Sequence, residues 1–198
     1  MKDWDGRHGF FKAEATKDLL ADAEVRGVLA AFLGEDPVCL IFLRSWAQGQ
    51  HVDAVIEALA LAVQLGADRV AVALPGRAWS LDDPIPPVLD GIGDLRQRVL
   101  VIDEADGTVH PPRVLSSAHA FDIDGTGPKP RVRWGAPITA TGATGLISEA
   151  LEIWVRERAI WDHLSDDALA RRAAQCTASG HLVAVAPVVA RRLGLCLT

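Results

Sequence analysis

A chain of 198 residues with 49% hydrophobic and 23% charged side chains can bury a sizeable core, and its length suits one domain with a small appendage. A formal net charge of -6 argues against a broad basic footprint for nucleic acid or an anionic membrane, since both require clustered Lys and Arg against phosphates. Cys39, Cys176 and Cys196 are an odd number at wide spacing, neither a disulfide framework nor a C-x-x-C motif. The start "MKDWDGRHGFF" lacks the order of a signal peptide, and no run reaches the roughly 18 apolar residues of a membrane span. A soluble protein of the reducing cytoplasm is the expectation.

In chain order, the apolar spacing from Thr16 to Leu33 predicts a helix, capped at its start by Thr16 and stopped by Gly34. "VCLIFL", residues 38–43, is a short continuous apolar run that predicts a strand covered on both faces. Residues 51–65 place Val52, Val55, Ile56, Leu59 and Val63 on one helical stripe, with Gly66 as the stop. "RVAVAL", residues 69–74, is a second apolar strand, so the crossover joins two strands as parallel neighbours. Residues 88–95 allow at most a short helix or turn before a third strand, "RVLVID", residues 98–103. From Gly107 to Trp134, shorter segments separated by Asp-Gly, Gly-Pro and Pro-Pro read as hairpins or a meander. A glycine-rich stretch then opens a helix carrying Leu146, Ile147, Leu151, Trp154, Val155 and Trp161, and the tail reads as two short helices, "DDALARRAAQC" and "LVAVAPVVARRL".

These elements predict an α/β fold: an open, mostly parallel sheet of three or more strands with flanking helices, a β-hairpin or meander extension and a C-terminal helical pair. The expected organisation is an α/β domain over residues 1–163 and a helical appendage over 164–198 packed on it.

Two acidic stretches invite a catalytic reading. "VLVIDEAD" resembles the acidic strand of P-loop ATPases, in which Asp103 would serve magnesium and Glu104 would orient water; residues 1–97 lack the required G-x-x-x-x-G-K-[ST] cradle. "FDIDGTGPKP" resembles the nucleophile loop of haloacid dehalogenase phosphatases, which would make Asp122 the nucleophile and Asp124 the general acid. Two prolines follow where that family turns into a helix, and no later acidic strand supplies magnesium ligands. Both stretches share Asp-Gly, a tight-turn sequence, and are read as hairpin tips. The surrounding acids and histidines, including His110 and His119, lack the close spacing of a zinc site.

The carboxyl ends of three parallel strands would bring together Arg44, Trp46, Arg77, Trp79, Asp103 and Glu104. Trp46 and Trp79 are expected as ring contacts, Arg44 and Arg77 as anion contacts, and Asp103 with Glu104 as hydrogen-bond acceptors or metal ligands. No metal or other cofactor is named by any motif. "TATGATG", residues 139–145, could offer amides to an anion but reads more simply as a loop with Thr144 or Thr141 as helix cap. The tail carries Arg171, Arg172, Arg191 and Arg192, yet "LVAVAPVVA" offers no polar face for base edges, so nucleic acid is not the expected partner. The leading expectation is a protein binding a small polar or nucleotide-like ligand at the sheet edge. The competing one is a self-association or protein-interaction module using Trp154, Trp161 and the C-terminal helix.

Overall fold

The computed structural model describes residues 4–21, 24–47, 50–78, 96–125, 129–160 and 164–192. Its centre is a seven-stranded sheet in the order β6-β5-β4-β3-β1-β2-β7. The strands are β1 (Val28–Leu33), β2 (Asp36–Phe42), β3 (Arg69–Ala78), β4 (Gln97–Asp106), β5 (Arg113–Asp124), β6 (Arg131–Thr141) and β7 (Leu182–Val185). Every neighbouring pair is antiparallel, which overturns the expected mostly parallel sheet.

The cause is one element. "VLAAFL", residues 28–33, forms β1 and not the end of a long helix. Its apolar side chains serve both faces: Val28, Ala30 and Phe32 join one core cluster, while Leu29 and Ala31 join the other. A strand buried on both sides needs apolar residues at every position, and such a run imitates helical spacing. Gly34, expected as a helix stop, instead takes φ 62° in the two-residue connection between Leu33 and Asp36, where positive φ favours glycine. β1 pairs with β2 on one side and β3 on the other, so β2 and β3 run in the same direction but never touch. α2 (His51–Gln64) connects them across β1. A bulge between Ala31 and Phe32 in the β1–β2 ladder leaves Val38 without a registered partner, and Val38 and Cys39 both enter the same core cluster.

α1 (Trp4–Leu20) covers one face of the sheet through Phe11, Ala15 and Leu19, spaced four residues apart and packed with Ala71, Ala73, Leu100 and Ile102. Burying a side chain such as Phe11 contributes roughly 1.5–3 kcal/mol relative to exposure. The opposite face carries α2, α3 (Leu146–Glu157), α4 (Asp166–Ala178) and Val189 of α5 (Pro187–Arg192). Trp154 of α3 is 1% exposed in this second core, so it is a packing residue and not a partner surface; Trp161 lies outside the described residues.

The expected C-terminal helical pair is also corrected. α4 forms as expected, but "LVAV" is β7, hydrogen-bonded along β2. Pro187 then opens α5, a position where its missing N–H costs nothing. The meander is present as the antiparallel run β4, β5, β6. Among the described residues no helix is long and apolar enough to cross a membrane.

Candidate functional site

Strand alternation separates the residues expected to act together. Asp103 and Glu104 are adjacent on β4 and therefore point to opposite faces of the sheet. Asp103 looks toward α3, opposite Val72 and Ser116 in the ladders, whereas Glu104 meets His8 of α1 on the other face. They cannot share a metal or a substrate. Among the described residues, no three His, Cys, Asp or Glu side chains converge in a way that could hold a metal ion.

The Asp103 face encloses a cavity of about 400 Å³, within the roughly 300–1,000 Å³ of small-molecule sites. Its walls come from five places in the chain: Trp46 after β2, His51 at the start of α2, Leu74 to Gly76 of β3, Val101 and Asp103 of β4, and Thr144 to Ser148 at the start of α3. Trp46 can approach because Gly27 leaves room: a Cβ there would stand 2.8 Å from Leu74 and 2.9 Å from Leu43 and Trp46.

Asp103 is 6% exposed. Its Oδ1 accepts a hydrogen bond from the Ser116 hydroxyl at 2.5 Å, and the Ser116 oxygen accepts one from the Thr144 hydroxyl at 2.9 Å. Burial pushes the Asp103 carboxyl above the ordinary carboxylate range, and the Ser116 hydroxyl acts in the opposite direction. No ion pair to Asp103 is present among the described residues.

At the start of α3, Ser148 occupies the third helical position and reaches back. Its hydroxyl oxygen accepts from the Thr144 N–H at 2.8 Å and the Gly145 N–H at 2.9 Å. The two amides that precede the helix, those of Thr144 and Gly145, are thus already bonded. Thr144, expected as a helix cap, turns its hydroxyl to Ser116 instead, and Gly145 takes the cap position.

The remaining expected site residues fall elsewhere. Arg44 is committed to Glu57 through paired contacts, Nε to Oε2 at 3.1 Å and Nη2 to Oε1 at 3.0 Å. It borders a separate small cleft of about 60 Å³ that also includes Trp46. Arg77 lies opposite Arg98 in the β3–β4 ladder and donates to the Arg96 carbonyl at 3.1 Å, away from the Asp103 cavity. Trp79 lies outside the described residues. Of the six, Trp46 and Asp103 line one cavity.

Ser116, Thr144 and Ser148 complete the site, and sequence reading did not assign them to it. Ser116 had one signal: a hydroxyl interrupting the apolar pattern of "RVLSSAHAF". Pairing it with Asp103 requires the register of the β4–β5 hairpin, whose connection is longer than its Asp-Gly pair implies. The acidic pair is likewise strand interior: β4 continues to Asp106, which accepts from Thr108 and Arg69 where the turn begins.

Comparison with protein-family models, curated proteins and solved structures finds no match to this chain.

Proposed function

We propose that this chain is a small-molecule-binding domain whose ligand occupies the cavity between Trp46 and Asp103. The observation that carries the reading is a buried carboxyl, bonded on one oxygen by a hydroxyl, in a cavity of about 400 Å³ with an indole wall. Mostly apolar walls with a few convergent polar groups suit ligand binding, and a perturbed titratable residue in such a cleft marks a candidate site. In this reading Trp46 contacts a ring or apolar body, Asp103 accepts hydrogen bonds, and His51 and Thr144 supply polar contacts at the rim. Arg44 and Arg77 are not carried forward as anion contacts, because neither lines this cavity.

The test is a thermal-shift screen of wild type and Asp103→Asn against nucleotides, sugar phosphates, amino acids and amines. A ligand at about a hundred times its dissociation constant stabilises the folded state by roughly 2.7 kcal/mol, enough to read as a shift in melting temperature. The expected result is stabilisation of wild type that is lost or much reduced in Asp103→Asn. Stabilisation that is identical in the variant removes Asp103 from the site.

A further inference from the structure

We infer that the Asp103 cavity takes a compact organic cation, an apolar ring or chain bearing an ammonium or amidinium group. This rests on the reading of the cavity as a ligand site and narrows the ligand by charge.

The charge inventory of the cavity is one-sided. Its lining includes one carboxyl, Asp103, and no Lys or Arg among the described residues; His51 is the one basic ring. The two arginines nearest in the chain to its walls are engaged elsewhere, Arg44 with Glu57 and Arg77 with the Arg96 carbonyl. A phosphate or carboxylate ligand would therefore meet a buried carboxyl with no Lys or Arg side chain among the described lining residues to offset it.

The same inventory favours a cation. A buried carboxylate without a counter-charge is costly, and a ligand that brings the missing charge relieves that cost as it binds. The hydroxyls are oriented to support the charged form of Asp103: Thr144 donates to Ser116, and Ser116 donates to Oδ1. Burial raises the Asp103 pKa, and a cationic partner acts against that rise as the Ser116 hydroxyl does. Trp46 adds an indole, the aromatic side chain that attracts cations best, while Leu74, Pro75, Val101 and Ile147 suit an apolar body.

The experiment titrates the full chain with three probes of one shape and different charge: benzylamine, benzyl alcohol and benzoate. Calorimetry gives affinity, and the Trp46 indole and Thr144 and Gly145 amide resonances locate binding. Benzylamine is expected to bind tighter than benzyl alcohol by on the order of tenfold, the scale of one charge-assisted contact, with benzoate weakest. Asp103→Asn should erase the preference for the amine, while the wild-type comparison of the three probes stands even if that variant does not fold. Equal binding of amine and alcohol, or preference for benzoate, with shifts at Trp46 overturns the cation class and leaves the ligand site standing. Amine binding that moves neither Trp46 nor Thr144 overturns the assignment to this cavity. No response to any of the three sinks the cation class and counts against the site itself.

Discussion

At the residue scale, His181 shows how one buried ring fixes several elements. Its side chain is 0% exposed; Nδ1 accepts from the Arg44 backbone N–H at 3.2 Å, and Nε2 lies 2.9 Å from Glu57 Oε2. Because Nδ1 is an acceptor, the neutral ring carries its proton on Nε2 and donates it to Glu57. Glu57 also receives the paired Arg44 contact, so α2, the segment after β2 and the turn into β7 meet at one carboxylate. Arg44 and then His181 hold the Glu57 carboxyl down at about 2, against an ordinary value of 4.5. A carboxyl with a depressed folded-state pKa stabilises the fold above its unfolded value, and that contribution is lost as pH falls from about 4.5 toward about 2. Glu57→Gln should therefore melt at lower temperature than wild type at neutral pH, with the gap closing across that acidic window. Parallel melting-temperature curves for the two proteins between pH 7 and 2 would show that the triad contributes nothing. Glu57 is partly exposed, so the effect should also shrink with added salt.

The element most exposed to a single substitution is α1. Its apolar stripe is narrow, and its first turns are held by polar contacts: Arg7 sits 4.9 Å over the Phe32 ring, and His8 Nε2 lies 3.2 Å from Glu104 Oε2. Glu104 is 1% exposed, and its Oε1 has no hydrogen-bond partner among the described residues. Burial raises the Glu104 pKa, and His8 is the largest influence opposing that rise. Replacing His8 by Ala leaves a buried acid with neither oxygen bonded, at a cost of about 1–3 kcal/mol. A group whose folded pKa is raised favours the fold most when protonated, so the loss in His8→Ala should be larger at neutral pH than at mildly acidic pH. Adding Glu104→Gln to His8→Ala should recover part of it by removing the charge. Denaturant melts of the two variants at both pH values check this; a His8→Ala deficit that is independent of pH and unrescued would assign the loss to helix packing alone. Nothing in the sequence signalled the contact. His8 and Glu104 are 96 positions apart, and only an α1 that begins near residue 4 and ends at Leu20, in place of the expected helix over 16–33, brings them together.

For the whole molecule, local chemistry was legible where it is set by few residues: α2 between His51 and its glycine stop, the apolar centres of β2, β3 and β4, and the presence of the β4–β6 meander. Sheet direction was not, because it depends on one strand whose two-sided burial made it read as helix. β2 and β3 do run the same way, so the crossover inference failed only at adjacency, with β1 inserted between them. The site suffered from the same error. Strand parity separates Asp103 from Glu104, Glu57 engages Arg44, and Trp46 and Asp103 line one cavity whose wall α3 completes. The tail offers the decisive test of how much of the fold is one unit. β7 hydrogen-bonds along β2 from Cys39 to Phe42, and α4 contributes Leu169, Ala173 and Cys176 to the core shared with α2. Ending the chain after Leu164 removes both, baring the β2 edge and the α2 face together. An uncovered strand edge beside exposed apolar surface promotes association, so the shortened chain should lose its cooperative melt and aggregate at concentrations where the full chain does not. Circular dichroism melts and size-exclusion mass of the two chains decide it. A shortened chain that melts cooperatively at the full-length temperature with unchanged mass would make the tail a separable appendage, whereas collapse would show that the seventh strand and α4 belong to the same cooperative core as the Asp103 cavity.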